Sequence, residues 1–189
     1  MKEITFHAEA FDIEGIQIPE ITATKGRLIR MYIPFYSQKR VPLHLDLTLR
    51  IIEHFQNLQP NLYWAKHYSP NRYIELIRPL TVERYLTHKM KLDTHIAIQI
   101  ATDLNINLKD RFEHIEFVKK RALIIKALFQ KNDCILLDYY AIDVSSIKFL
   151  ETVVNTEIEK GKSAIAFDNL QFAEETEPFT NIHRIEIHV

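Results

Sequence analysis

An aspartate at the end of an apolar run is the feature of this sequence with the clearest chemical meaning. The run is CILLD, residues 134–138, and an amphipathic stretch that begins at Arg121 precedes it. In α/β proteins that bind nucleotides, an aspartate at the carboxyl end of a central strand meets a metal–phosphate ligand. Here Tyr139 and Tyr140 follow Asp138, and no glycine-rich phosphate loop lies upstream. The sequence therefore predicts a phosphate-handling fold whose usual phosphate chemistry is missing.

The shortage of glycine supports this interpretation. Only Gly15, Gly26 and Gly161 occur among 189 residues, whereas average usage is about 7%. Loops that wrap a phosphate with backbone N–H groups need positive φ angles, which glycine adopts at little cost. Three isolated glycines make such a loop hard to build.

The composition is that of one globular domain, with 47% hydrophobic and 26% charged residues. A formal net charge of −1 gives no global attraction to nucleic acid or to a membrane surface. No apolar run reaches the length of about 18 residues that spans a bilayer, so membrane insertion is not expected. Cys134 is the single cysteine, which excludes an internal disulfide and is typical of a reducing cytoplasm. The histidines and Cys134 show no metal-ligand spacing, so no metal site is expected.

The order of the predicted elements indicates a largely parallel sheet. The hydrophobic pattern predicts helices over 43–55, 111–130 and 144–160, and strands over 27–35, 61–65, 134–138, 163–167 and 183–189. Helices that alternate with strands imply right-handed crossovers between parallel strands. At the amino terminus, two extended segments, 2–13 and 16–23, surround a predicted turn at Glu14-Gly15.

Short helices are predicted in the middle of the chain. Thr81 is expected to cap a helix that begins TVERYL, Asp93 to cap one over 94–104, and Asp143 to cap the helix over 144–160. We expect a single domain over 1–189, in which about 80–120 forms a reduced helical subdomain.

Five segments resemble the ATPase subunits of ABC transporters, in the right order along the chain. They are ITATKGRLIRMYIP (21–34), PLTVERYL (79–86), Arg121 through Asp138, GKSAIAFDN (161–169) and HRIEIHV (183–189). In turn they are similar to that family's lead into the phosphate loop, the stretch after its glutamine loop, its signature helix with the Walker B strand, its switch-histidine segment and a late strand. The resemblance implies an α/β fold of the P-loop NTPase type, with a largely parallel central sheet and an antiparallel N-terminal β segment.

The residues that correspond to the phosphate loop lack what that loop needs. In the family, GPNGAGKST cradles phosphates with backbone amides, contacts them with a lysine and holds Mg²⁺ with a hydroxyl. The corresponding residues here are 33–41, IPFYSQKRV. Lys39 is kept, every glycine is lost, and Arg40 stands at the hydroxyl position. The resemblance therefore leaves Lys39 and Arg40 to hold an anion by charge alone.

Other catalytic positions also differ from the family. Residues 114–118, HIEFV, correspond to the LSGGQ motif, and Glu116 would repel a phosphate there. Tyr139 corresponds to the glutamate that polarises the attacking water, Asn169 to the switch histidine, and His67 lies in the glutamine-loop region. Because each lost contact costs about 10²–10⁴ in rate, the resemblance implies that ATP hydrolysis is lost and that no residue is catalytic.

The resemblance thus implies a degenerate nucleotide cleft. Its binding residues would be Lys39, Arg40 and Asp138, and its lining residues Tyr36, Tyr139, Tyr140 and Asn169. Asp138 has two interpretations: a Mg²⁺ ligand through water, or a structural group that caps the strand end or pairs with Lys39. The tyrosines either plug the cleft or recognise a peptide or a partner helix. No cofactor is expected, and ATP with magnesium is the alternative.

The function that the resemblance implies is that of a non-catalytic binding, regulatory or structural subunit. Its partner would be a second copy, or an ABC ATPase or transporter component, because that family works as head-to-tail pairs. Two alternatives stay open. One is a weak or conditional ATP-binding subunit of an ABC transporter that uses Lys39 and Asp138. The other is a nucleic-acid- or ribosome-associated ABC-like factor, which requires a continuous basic face; Glu113 and Glu116 dilute the basic residues of 119–121.

Overall fold

The computed structural model of the chain describes residues 3–68, 79–139, 142–169 and 182–188. Within them the strands are β1 (Ile4–Ala8), β2 (Phe11–Ile13), β3 (Ile16–Ile18), β4 (Ile21–Thr24), β5 (Arg27–Ile33), β6 (Tyr63–Trp64), β7 (Cys134–Asp138), β8 (Ser163–Asn169) and β9 (Ile182–Glu186). The helices are α1 (His44–Leu58), α2 (Val82–Arg84), which continues into a π-helical turn (Tyr85–Lys89), α3 (Thr94–Asp103), α4 (Phe117–Phe129) and α5 (Val144–Glu159). A 3₁₀ turn (Phe112–His114) precedes α4.

The centre of the fold is a five-stranded sheet in the order β6-β7-β8-β5-β9. All four pairings between these strands are parallel. Their carboxyl ends therefore meet at one edge, where Ile33 of β5 lies opposite Asn169 of β8 and Asp138 of β7 lies opposite Phe167. The α/β class and the largely parallel sheet are confirmed.

Alternate residues of the strands face two apolar clusters, one on each side of the sheet. In β7, Ile135 and Leu137 join the cluster made with α2 to α5, whereas Cys134 and Leu136 join the cluster made with α1 and the N-terminal strands. A strand that is covered on both faces needs apolar residues at every position, and this is why CILLD is a continuous run. Burial on this scale raises the pKa of the Cys134 thiol to about 11.

The N-terminal segment is antiparallel, as expected, but it is divided more finely. The two predicted segments form four strands, with β1 paired to β4 and β2 paired to β3. The turn between β2 and β3 is the predicted one, and both Glu14 and Gly15 have positive φ angles, 53° and 85°. The backbone N–H of Gly15 donates to Oδ1 of Asp12 at 2.8 Å and closes that turn.

The helix predicted over 111–130 begins only at Phe117. Tertiary contacts hold the preceding residues in another conformation: the ring of Phe112 is buried and stacks on Tyr85 with centroids 4.4 Å apart. The backbone N–H of Phe112 donates to the carbonyl of Leu80 at 2.7 Å. Ile115 and Glu116 have ψ angles of 142° and 137°, which a continuous helix would not allow. The apolar spacing of 111–116 therefore reflects packing of a turn, not a helical face.

The capping predictions are confirmed in two cases out of three. Oγ1 of Thr81 accepts from the backbone N–H of Arg84 at 3.3 Å, and Oδ1 of Asp143 accepts from that of Ser146 at 3.0 Å. Asp93 stands at the start of α3 but makes no side-chain cap bond. A separate subdomain over about 80–120 stays a prediction, and the buried residues of this segment share the cluster of α4 and α5. No helix of the described residues is long and apolar enough to cross a bilayer.

Candidate functional site

The candidate site lies at the carboxyl edge of the parallel sheet. The ends of β5, β7 and β8 place the loop after Ile33, the Asp138–Tyr139 pair and Asn169 side by side. Trp64, at the end of β6, pairs in register with Leu136 and borders the same edge. Of the residues that the sequence indicated, the structure thus places Asp138, Tyr139 and Asn169 at this edge. Tyr140 lies outside the described residues.

Residues 35–43, the hairpin loop, connect β5 to α1 and close on themselves. Tyr36 and Pro42 form an antiparallel bridge, and the backbone N–H of Ser37 donates to the carbonyl of Val41 at 2.9 Å. At the tip, the N–H of Arg40 donates to the carbonyl of Ser37 at 2.9 Å, and Arg40 has a φ of 59°. Three further backbone N–H groups donate to oxygens within the loop. Those of Leu43 and His44 donate to the carbonyl of Phe35, and that of Val41 donates to Oγ of Ser37.

The hairpin places its two cations on the surface. Lys39 and Arg40 are exposed, and neither forms an ion pair with another described residue. Tyr36 is 49% exposed and its ring packs edge-on against Phe35, with centroids 4.7 Å apart. The structure therefore places Tyr36 on the outside of the hairpin loop and not in the middle of the sheet edge.

Helix α1 begins at His44, one residue after the start of the helix predicted over 43–55. The His44 side chain is buried. Burial lowers its pKa below the usual range, and the backbone and carboxylate of Asp168 and the carboxylate of Asp138 oppose this only in part. One turn later, Oγ1 of Thr48 is buried with no hydrogen-bond partner among the described residues. Sequence reasoning did not single out His44 as a site residue, although Pro42 indicated that a helix begins beside it.

Asp138 is buried, and its carboxylate is held by two side chains. Nε1 of Trp64 donates to its Oδ2 at 2.9 Å, and Nη2 of Arg121 lies 3.4 Å from the same oxygen. Arg121 also donates to the main-chain carbonyl of Asp138. The ion-pair partner of Asp138 is therefore Arg121 of α4 and not Lys39, which forms no ion pair with a described residue. Arg121 was within the resemblance, but its role could not be seen without the packing of α4 on β7.

Tyr139 lies inside the fold directly after β7. Its side chain is buried, its ring centroid is 5.3 Å from Cζ of Arg30, and its hydroxyl has no hydrogen-bond partner among the described residues. Its backbone N–H continues the sheet by donating to the carbonyl of Phe167 at 2.9 Å. Burial raises the pKa of Tyr139 far above its usual range, so the phenol stays neutral. A neutral buried phenol cannot take a proton from water.

A buried ionic cluster, Arg30–Glu151–Asp168, lies beneath the site. Nε of Arg30 donates to Oδ2 of Asp168 at 3.0 Å, and its Nη1 and Nη2 donate to Glu151 and Asp168. All three side chains are about 1% exposed. The backbone N–H of Asn169 donates to Oδ1 of Asp168 at 2.7 Å, so the cluster also fixes the end of β8. An arginine inside the apolar run RLIRMYI was the available signal, because a buried guanidinium needs carboxylates.

Two carboxylates share one cation in this cluster. Burial raises the pKa of Glu151 to about 7, because desolvation and the nearby Asp168 outweigh the attraction of Arg30. No group of three or more histidine, cysteine or acidic side chains that could hold a metal occurs in the part of the chain that the structure describes. The site is therefore organised by internal hydrogen bonds and ion pairs.

Comparison with known proteins adds to this geometry. No protein-family profile and no curated protein matches the sequence. Among solved structures, an ATP-binding subunit of an ABC transporter aligns over 99% of this chain and 88% of its own length, with a TM-score of 0.57 and 13% identity. CbiO1 from Clostridium perfringens, part of the ABC transporter complex cbiONQ, aligns over 100% of this chain and 88% of its own, with a TM-score of 0.59 and 8% identity.

A longer protein contains the same fold as one part. An RNase-L inhibitor aligns over 99% of this chain but 40% of its own length, with a TM-score of 0.57 and 12% identity. At these identities the likeness concerns the fold, and it agrees with the parallel sheet and the antiparallel N-terminal strands. The chain has the fold of the ATP-binding subunits of ABC transporters.

Proposed function

We propose that this chain is a non-catalytic ABC-ATPase-like protein that acts as a binding, regulatory or structural subunit. The closed hairpin loop carries the proposal. A phosphate cradle needs several backbone N–H groups directed at one point, and those of Ser37, Arg40, Val41, Leu43 and His44 already donate to oxygens of the loop itself. Opening the loop for a nucleotide would break these bonds before any phosphate contact forms.

The surroundings of Asp138 support the same proposal. A Mg²⁺ ion coordinated through this carboxylate would have to compete with Arg121 and with the Trp64 N–H. Breaking a buried charge pair costs about 3–5 kcal/mol, and the displaced guanidinium would stay close to the metal. The residues present do not fit a magnesium–nucleotide complex, and we assign no ATP, magnesium or other cofactor.

The groups needed for water activation are absent from their usual positions. The buried, neutral Tyr139 follows Asp138 where the family has a glutamate, and Asn169 stands at the end of β8 where it has a histidine. Neither side chain can act as a general base near pH 7. This supports a role based on binding, not on hydrolysis.

The partner and the location are also parts of the proposal. One similar structure is described as part of an ABC transporter complex, and by analogy we propose a second copy of this chain or an ABC ATPase or transporter component as the partner. The single buried Cys134 suits a reducing compartment, so we place the protein in the cytoplasm.

The test is thermal unfolding of the whole chain with MgATP from micromolar to several millimolar, together with a phosphate-release assay. We expect no change in Tm and no phosphate release. A rise of about 5 °C or more that disappears in Lys39→Ala but persists in the distant, exposed Lys109→Ala would contradict the proposal. It would instead support the conditional ATP-binding alternative. Lys39 and Arg40 favour that alternative, because both are exposed and form no ion pair with a described residue.

A further inference from the structure

We propose that the groove between the hairpin loop and α1 docks an acidic, amphipathic segment of a partner protein. This inference rests on the proposed function and names its binding face. The groove has a volume of 310 Å³ and is lined by Phe35, Pro42, His44, Leu45, Asp46 and Leu49. It thus lies where the hairpin loop, which includes most of the residues that correspond to the phosphate loop, meets the start of α1.

Apolar side chains surround the groove on the surface. Val41 of the hairpin loop is 58% exposed, and Leu45 and Leu49, one turn apart on α1, are 47% and 40% exposed. Leu45 and Leu49 line the groove itself. Val41 and the half-exposed Tyr36 lie beside Pro42 in the hairpin loop, because Tyr36 and Pro42 are bridged. A groove with apolar walls and two leucines at i and i+4 suits the apolar face of a helix.

The charges beside the groove determine which charge the partner segment should carry. Lys39 and Arg40 project from the tip of the hairpin loop and have no ion pair among the described residues. The carboxylate that lines the groove, Asp46, already contacts Nε of Arg50 at 2.9 Å. Arg50 in turn contacts Glu14. Among the described residues of the hairpin loop and the groove lining, the two charges without an ion pair, those of Lys39 and Arg40, are therefore both positive. They are complementary to carboxylates that flank an apolar segment.

The shape favours a protein segment over a lipid surface. A concave groove accommodates side chains of a helix, whereas a bilayer needs a flat or convex apolar face. Two cations supply only about 1 kcal/mol each toward an anionic membrane. An acidic helix can instead bury its apolar side chains in the groove and contact both cations at the same time.

The experiment is isothermal titration calorimetry of the full chain with synthetic peptides of about 16 residues, long enough for helix formation. The first peptide has leucines at helical i, i+3, i+4 and i+7 positions and glutamates on the flanks. The second replaces the glutamates by lysines, and the third replaces the leucines by serines. We expect binding of the first peptide, about tenfold or greater weakening with the second, and no binding of the third.

Variants of the protein complete the test. The double variant Lys39→Glu, Arg40→Glu should bind the acidic peptide about tenfold more weakly and the basic peptide more tightly. Leu45→Ser should weaken the binding of both peptides. Lys109→Glu, an exposed charge elsewhere, is the matched control and should change neither. Circular dichroism checks that each variant is folded.

Three results would overturn the inference. The first is equal binding of the acidic and basic peptides, or none up to millimolar concentration. The second is Lys39- and Arg40-dependent binding to vesicles of phosphatidylcholine and phosphatidylserine without peptide binding, which would identify a lipid surface. The third is a dimer in solution that Leu45→Ser dissociates, which would identify a second copy as the occupant. Stabilisation by MgATP would contradict the proposed function separately, whatever the peptides do.

Discussion

Nε1 of Trp64 donates a hydrogen bond of 2.9 Å to Oδ2 of Asp138, although the two residues lie 74 positions apart in the chain. The contact joins the carboxyl ends of two neighbouring parallel strands, β6 and β7. It holds in place the acidic side chain that the family resemblance indicated as a possible Mg²⁺ ligand. Under the proposed function, an indole N–H in this position gives the aspartate a structural role.

Replacing Trp64 by phenylalanine should therefore destabilise the protein. The ring is kept but the N–H is lost, so a buried carboxylate loses one of its two side-chain partners, at a cost of about 1–3 kcal/mol. Urea unfolding followed by circular dichroism measures this change. Tyr63→Phe, at the more exposed neighbouring position, is the control. Equal stability of the two variants would mean that the hydrogen bond contributes nothing.

Arg30→Met should be strongly destabilising. It leaves Glu151 and Asp168 buried without their shared cation, which costs about 3–5 kcal/mol. Adding Glu151→Gln to this variant should recover part of the loss, because one uncompensated charge is removed. The exposed Arg27→Met, on the same strand, should change the free energy of unfolding by less than about 0.5 kcal/mol. If Arg30→Met lowered the free energy of unfolding no more than this control does, the buried cluster would contribute nothing to stability.

Glu151 also makes stability depend on pH. Its pKa is about 7 in the folded protein against an ordinary value of 4.5, so the folded state binds this proton more tightly than the unfolded state does. The contribution is full below about pH 4.5 and is lost as pH rises through 7. Between pH 5 and 8, the free energy of unfolding of the wild type should fall by roughly 1–3 kcal/mol relative to Glu151→Gln.

The difference between the two proteins isolates Glu151. His44, whose pKa is lowered by burial, gives the opposite trend, because its unfolded form binds the proton more readily. That trend is common to both proteins and cancels. Parallel pH profiles of the wild type and Glu151→Gln would show that Arg30 keeps Glu151 ionised throughout.

The hairpin loop can be tested through its backbone. Arg40 has a φ of 59°, in the left-handed region. Arg40→Gly should therefore stabilise the protein by up to about 1 kcal/mol, because glycine adopts this conformation without strain. Lys39→Gly, at the neighbouring position with no positive φ, should be neutral or destabilising. The reverse order in thermal unfolding would mean that the loop has another conformation in solution.

The sheet could be predicted from the sequence because its signals are local. CILLD is apolar at every position, and a strand buried on both faces requires this. The turn at Glu14-Gly15 and the caps at Thr81 and Asp143 depend on residues within a few positions of each other, so they too were visible. The start of α4 was mispredicted because it depends on a contact between residues far apart in the sequence, the stacking of Phe112 on Tyr85.

The contacts of the site could not be predicted in the same way. Asp138 is held by Trp64 and Arg121 only because β6 and α4 both pack against β7. Arg30 meets Asp168 through the register of β5 with β8, and no sequence period encodes that register. The family resemblance indicated Asp138, Tyr139 and Asn169, which lie at the sheet edge, but the identity of their partners depends on packing.

Trp64 is the only tryptophan in the chain, so its bond to Asp138 gives the protein an intrinsic optical reporter. The emission of an indole depends on whether its N–H is bonded to a buried carboxylate or to water. Any ligand that displaced Asp138 would release Trp64 and shift its fluorescence, without a label or a mutation. A titration in a cuvette can therefore report occupancy of this edge of the sheet directly.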